Sequence, residues 1–587
     1  MFYSKIHNIL VLAVVFIYVD RVRSDVIVET TSGKIEGIEV KSIIENERFF
    51  SFLGIPYAEP PIGKLRFQPP VPHTGWKDIY NAKKERKHCA QYFMPQRKVN
   101  RYGYCGDEDC LHLSIHTPKI PINQDIKMPV IVFLYNEQFR ISHNASKEYG
   151  PDFFMKEDVI IVTINYRLGF LGFASFEDVV LPGNNGMRDV LLALKWLQQN
   201  VKYFAGDPSN ITLMGNSGGA VIVDILLQTP KAEGLFSKAI MQSGSSWHPS
   251  YIDVNPKQRA QALAEILEIK AGTSEELISK LTDVNANRIT EAELDLVHPD
   301  ESMAIQREIV QFGPVVEIHH GHAILTKLPE DNSQKLSVPV MIGFNSREAI
   351  EINENYLHNP DYVRIVNRHF IMTFPRRVNY HFNINNEVYK EALKEIKTFY
   401  FDDGFIKEDK LGEFLNYIGD IVSFYPTDYT VRKYTNTSDT PVYYYMFDYS
   451  GKLNFRKITS INHARSIDGT WGASIGDELC YLFICKKWKK VYKQLLENDD
   501  SEEIKVLTMM IKMYTQFAKT GNPTPSESDF VWKSASKENR ECLVISDKPK
   551  MKSNLYEDKV RFWDEFIEKY EKLAVNGVVG NKVTDEL

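Results

Sequence analysis

The sequence predicts an α/β fold: a large, twisted, mostly parallel central sheet flanked by helices, with a hairpin at its N-terminal end. Three observations carry this reading. Short apolar runs at residues 130–134, 159–164, 211–214, 239–242, 338–343 and 442–447 have the length and composition of strands buried on both faces. Helical patterns lie between several of them, and strands alternating with helices wind into a doubly wound sheet. Finally, Gly215-Asn216-Ser217-Gly218-Gly219 sits between the apolar run 211–214 and a helical stretch at 220–229. A serine at such a strand-to-helix turn needs small neighbours, and the turn lifts its hydroxyl above the sheet at a helix N-terminus.

Taken in order, residues 26–30 and 34–40 alternate around Ser32-Gly33 and read as the hairpin. Residues 52–67 are dense in proline and glycine, and Cys110 leads into a strand at 111–116. Helices are expected at 189–200, 257–269, 275–281 and 411–423. A long amphipathic helix at 501–519 ends at Gly521-Asn522-Pro523. In a last helix at 560–573, Phe562, Trp563, Phe566 and Tyr570 recur near helical spacing, as core residues do. No repeat, low-complexity segment or linker interrupts the chain, so residues 25–583 read as one large domain with insertions.

The composition is that of a globular protein: 587 residues, 43% hydrophobic and 25% charged. A large core is available, so folding requires neither a metal nor a disulfide scaffold, and no metal or cofactor is expected. The net charge of −7 has no basic block within it, which argues against a nucleic-acid partner. Residues 1–24 have the plan of a secretory signal peptide: Lys5 and His7, an apolar stretch at 9–19, then Val22 and Ser24 ahead of Asp25. That stretch is too short to span a bilayer, and no later one is long and apolar enough. The tail Thr584-Asp585-Glu586-Leu587 is close to an endoplasmic-reticulum retrieval signal, differing at its first position. Sequons occur at Asn144, Asn210 and Asn436, of which Asn210 stands at the base of the serine's strand. Sequence alone does not pair Cys105, Cys480, Cys485 and Cys542.

These features together resemble a type-B carboxylesterase, the cholinesterase-like branch of the α/β-hydrolases. The stretches that carry the resemblance are residues 52–67, Glu108-Asp109-Cys110-Leu111, Asn165-Tyr166-Arg167-Leu168-Gly169, Pro182-Gly183-Asn184 and Phe204-Ala205-Gly206-Asp207-Pro208. The serine turn, Gln242-Ser243-Gly244, residues 472–479 and Thr520-Gly521-Asn522-Pro523 complete them. The secretory features and the tail are most similar to those of insect esterases. The resemblance implies a disulfide between Cys89 and Cys110.

Ester hydrolysis on this fold needs a serine nucleophile, a histidine that takes its proton, an acid that orients the histidine, and backbone donors for the oxyanion. The resemblance places the nucleophile at Ser217 and the acid at Glu348. The family's Gly-Ala-x-His-Gly-Asp-Glu-Leu is here Gly472-Ala473-Ser474-Ile475-Gly476-Asp477-Glu478-Leu479, so Ile475 stands where the histidine is expected. His463, twelve residues upstream, would need a different loop path to replace it. His319, His320 and His322 lie in another segment. The oxyanion loop His-Gly-Gly-Gly-Phe is replaced by Tyr135-Asn136-Glu137-Gln138-Phe139. Larger side chains at these positions crowd the pocket, and an inward Glu137 repels a developing negative charge, leaving the Gly218 N–H as the surviving donor. The expectation is a carboxylesterase-family protein impaired in catalysis that binds a hydrophobic, ester-like small molecule or another protein. An active hydrolase with an unusual base and an adhesion protein are the alternatives.

Overall fold

The computed structural model describes residues 25–93, 103–121, 126–142, 145–249, 251–296, 312–359, 361–374, 381–497, 500–575 and 577–580. The expected signal peptide at 1–24, the sequon at Asn144 and the tail at 584–587 lie outside the described residues.

Among these residues a 13-stranded sheet forms the centre. In chain order its strands are β1 (Asp25–Thr30), β2 (Gly33–Lys41), β3 (Arg48–Pro56), β4 (Tyr80–Asn81), β5 (His112–Thr117), β6 (Met128–Asn136) and β7 (Ile160–Ile164). They continue with β8 (Gly206–Ser217), β9 (Lys238–Gln242), β10 (Val340–Asn345), β11 (Val442–Phe447), β12 (Glu541–Ile545) and β13 (Lys550–Ser553). Their spatial order is β1-β2-β3-β5-β7-β6-β8-β9-β10-β11-β12-β13, with β4 paired to β2. The run from β7 to β12 is parallel; β1, β2, β3 and β5 and the last strand β13 pair antiparallel, and β4 lies parallel to β2. The N-terminal hairpin is β1–β2, with Thr30 opposite Gly33.

The continuous apolar runs follow from burial on both faces. Along β6, Val130, Val132 and Leu134 belong to one core with Leu194, Leu197, Val221 and Ile225 from the helices Asn185–Asn200 and Gly218–Leu227. The alternate residues Ile131, Phe133 and Tyr135 belong to a second core with Met510, Tyr514 and Phe517 of the helix Glu502–Thr520. Side chains of a strand point alternately to the two faces, so both sets must be apolar when helices cover both.

Four strands of the central sheet, β3, β4, β12 and β13, escape the sequence reading. In β3, Gly54 adopts φ 66 and the register to β5 shifts between Phe52 and Ile55, so neither a clean alternation nor an unbroken apolar run is present. β4, β12 and β13 are only 2, 5 and 4 residues long, and Lys550 and Lys552 break any apolar run in β13. The helix expected at 411–423 is longer and interrupted: Leu411–Gly419 passes through a π turn at Asp420–Phe424 and resumes as Tyr425–Thr437. Pro426 lacks the N–H that the ladder would need, which accounts for the widened turn just before it. Phe562 stacks on Phe399 at 4.1 Å, while Trp563, Phe566 and Tyr570 are buried. Disulfides join Cys89 to Cys110 and Cys480 to Cys485; Cys105 and Cys542 remain thiols.

Candidate active site

Strand β8 ends on Ser217, whose backbone lies at φ 53, ψ −122, and the helix Gly218–Leu227 starts at the next residue. Positive φ is strained for a side-chain-bearing residue and holds only where packing over-determines it. The glycines supply that packing. A Cβ on Gly215 would come within 2.3 Å of the Gly219 carbonyl, and one on Gly219 within 2.1 Å of the Leu134 carbonyl oxygen.

Ser217 is 5% exposed, and its Oγ lies 3.2 Å from the phenolic oxygen of Tyr251. Burial pushes the Tyr251 hydroxyl up to about 12; the hydrogen bond to Ser217 lowers it, and the charges of Glu348 and Glu137 raise it further. His248 stacks on the Tyr251 ring at 3.7 Å between centroids, and burial depresses its imidazole to about 3, so it is neutral. Phe139 meets the Tyr251 ring edge-on at 5.7 Å. Neither Tyr251 nor His248 belongs to a motif, and the sequence singles out neither.

Glu348 follows β10 and is buried, with one carboxylate oxygen 2.6 Å from the Asn345 N–H. Burial raises its carboxyl to about 7, against the hydrogen bond from the Asn345 N–H, which favours the anion. Glu478 lies on the other side of Asn345. It accepts from Asn345 Nδ2 at 2.6 Å and from Asn216 Nδ2 at 3.2 Å, and burial together with the Glu348 charge pushes it to about 8. The segment 473–478 is thereby tied at both ends: Ala473 O accepts from Arg347 N at 2.8 Å beside Glu348, and Glu478 reaches Asn216 beside Ser217. Ile475 stands half-buried within this bridge. The histidines elsewhere do not enter it. His463 is exposed on a turn at φ 66. His319 and His322 are exposed, and His320 bonds Glu317 at 3.2 Å.

The loop after β6 is rebuilt around side chains. Asn136 donates to the Tyr166 hydroxyl at 2.6 Å and accepts from the Phe139 N–H at 2.8 Å. Its carboxamide lies so close to Gly218 that a Cβ there would meet Oδ1 at 2.0 Å. The Glu137 N–H donates to Ile141 O at 2.7 Å, and Gln138 and Phe139 take φ 55 and 58. The Glu137 carboxylate accepts from Arg456 Nη2 at 2.6 Å and from the Tyr135 hydroxyl. Arg456 also bonds Glu351 at 2.6 Å, and its side chain lies 3.7 Å from the position a Cβ would take on Gly476, next to Ile475. Burial disfavours the Arg456 cation, but Glu351, Tyr135 and Glu137 outweigh it and raise its pKa. The Glu137 carboxylate is thus paired to a guanidinium across the site.

A profile of the carboxylesterase family matches residues 24–563. The chain belongs to the carboxylesterase family. Esterase FE4 of Myzus persicae is 31% identical over 515 residues, which cover 87% of each protein. Juvenile hormone esterase of Tribolium castaneum is 29% identical over 538 residues, covering 89% of this chain and 88% of that one. The crystal structure of juvenile hormone esterase from Manduca sexta, with OTFP covalently attached, superposes at a TM-score of 0.77 and 26% identity. The match covers 93% of this carboxylesterase-family chain and 100% of the other. The fold is thus that of the α/β-hydrolases, as the sequence predicts. Among the described residues, no helix is long and apolar enough to cross a membrane, and no group of three or more His, Cys, Asp or Glu side chains is placed to hold a metal ion.

Proposed function

We propose that this carboxylesterase-family protein keeps the esterase scaffold but turns esters over poorly at neutral pH, and that it binds apolar, ester-like small molecules in the secretory pathway. In this reading Ser217 occupies the nucleophile position, Glu348 the acid position and Ile475 the position of the base. The oxyanion positions are Gly218, Asn136 and Glu137.

One observation carries the reading: among the described residues, the hydroxyl of Ser217 bonds a phenol rather than an imidazole. A phenol held at about 12 is ionised in only about one molecule in 10⁵ at pH 7. Removal of the base from a serine triad lowers kcat by roughly 10⁶ in the best-studied protease. The donor side is weakened too, because the Glu137 N–H is spent on Ile141 O. Loss of one oxyanion donor is worth about 10²–10³ in rate.

Turnover of short-chain aryl esters by the purified chain at pH 7 tests this directly. The expected rate equals that of its Ser217→Ala variant within error. A rate clearly above that variant favours the second reading, an active hydrolase, which the preserved turn at Ser217 and the buried carboxyl of Glu348 support.

A further inference from the structure

The contact between Ser217 and Tyr251 gives the serine a reaction route that does not need histidine. We propose that Tyr251, as its phenolate, is the proton acceptor for Ser217, so that reaction of this serine with acyl or phosphonyl electrophiles depends on alkaline pH and on the Tyr251 hydroxyl. The proposal rests on the reading of Ser217 as the nucleophile.

The geometry is that required of a general base. The two oxygens are 3.2 Å apart, within the reach from which a side chain takes a proton, and apo contacts of this kind tighten when substrate binds. Tyr251 is held in place from several sides. His248 stacks on one face of its ring at 3.7 Å, and Phe139 abuts it edge-on. Ser217 itself is confined by the strained turn. The charged and titratable groups that act on Tyr251 come from three directions. His248 shares its segment and is neutral. Glu348 follows β10, and Glu137 follows β6 with Arg456 paired to it. Both carboxylates oppose formation of the phenolate, so a basic medium is needed to form it.

Tyr251 first releases its proton to solvent. With a fluorophosphonate, the Ser217 Oγ–H proton passes to the phenolate oxygen, an Oγ–P bond forms, the P–F bond breaks and fluoride leaves. Tyr251 ends neutral and Ser217 ends as its phosphonate ester.

The experiment measures fluorophosphonate labelling rates of the purified full-length chain from pH 7 to pH 10, with Ser217→Ala as the blank. The expected rate rises about tenfold per pH unit, as the fraction of phenolate does well below its pKa. In Tyr251→Phe, whose fold is checked by its thermal midpoint, labelling at pH 9 to 10 falls at least tenfold. Site-specific incorporation of 3,5-difluorotyrosine at 251, a more acidic phenol, raises labelling at pH 8 at least tenfold and keeps the test valid should the phenylalanine variant misfold. Equal or faster labelling of Tyr251→Phe overturns the proposal, as does no labelling of the native chain at any pH. Rapid labelling at pH 7 that disappears in Tyr251→Phe would overturn the reading of dormancy at neutral pH while leaving Tyr251 as the base. Rapid labelling that persists in Tyr251→Phe would overturn both.

Discussion

The Oδ1 atom of Asn136 lies where a Cβ on Gly218 would have to go, 2.0 Å from that position. Asn136 cannot simply swing away, because its carboxamide is held by the Tyr166 hydroxyl on one side and the Phe139 N–H on the other. The two residues are a matched pair, and the pair fills the corner beside the serine from within.

Gly218→Ala is therefore expected to destabilise the chain by about 1–3 kcal/mol, the usual range for overpacking a tight core. In an Asn136→Ala background the same substitution should be nearly neutral. Urea unfolding of the four proteins in a double-mutant cycle reads the coupling. A coupling below about 0.3 kcal/mol would show that the two sites do not meet.

Ile475→His alone should leave ester turnover within about tenfold of the native chain, because the Glu137 N–H stays committed to Ile141 O. Combining it with Asn136→Gly, Glu137→Gly and Gln138→Gly should raise kcat by about 10³ or more, since base and donors act as a unit. Steady-state kinetics with aryl esters decides. Full rescue by Ile475→His alone would mean that the loop after β6 already offers its donors.

Arg456→Met removes the cation between two carboxylates, Glu137 and Glu351. Breaking a buried pair by deleting one partner costs about 3–5 kcal/mol. The partial exposure of Glu137, at 34%, argues for the lower end. A double variant, Arg456→Met with Glu351→Gln, should recover part of that loss. Denaturant midpoints distinguish this from a cation with no role in holding the loop.

Stability should fall as pH rises from about 6.5 to 8.5. Burial raises the carboxyl of Glu348 to about 7 and that of Glu478 to about 8, far above an exposed glutamate near 4.3. The folded state then holds protons that the unfolded state has released. The contribution of these groups is full below about pH 4.3 and is lost as pH rises through 7 to 8. His112, His116 and His248, depressed by burial to about 4, 4 and 3, act with the opposite sign, but only below about 6.5. Urea unfolding at pH 6.5, 7.5 and 8.5 and constant ionic strength checks the slope. A chain most stable at pH 8.5 would contradict the burial of these carboxyls.

Of the sequons, Asn436 is exposed at the end of the helix Tyr425–Thr437, whereas Asn210 is half-buried in β8 with its side-chain oxygen bonded to Lys238. In a secreting host, Asn436→Gln should remove one glycan by mass and Asn210→Gln none. An unglycosylated native chain would count against the expected passage through the secretory pathway.

The parallel strands were legible because helices on both faces force every residue of a central strand to be apolar. The turn at Ser217 was legible because Gly215, Gly218 and Gly219 are demanded by contacts at under 2.5 Å, and the glycines leave a mark at fixed spacing. The isoleucine at 475 could be read for the same reason, from its flanking residues. What the sequence by itself determined is thus the scaffold and the substitutions within its motifs. Only the tertiary structure decided what those substitutions became. Tyr251 comes to Ser217 across 34 positions, and Arg456 comes to Glu137 across 319. No local period or motif encodes these contacts. They follow from how separate loops meet at the ends of the parallel strands, where packing, not propensity, sets each partner.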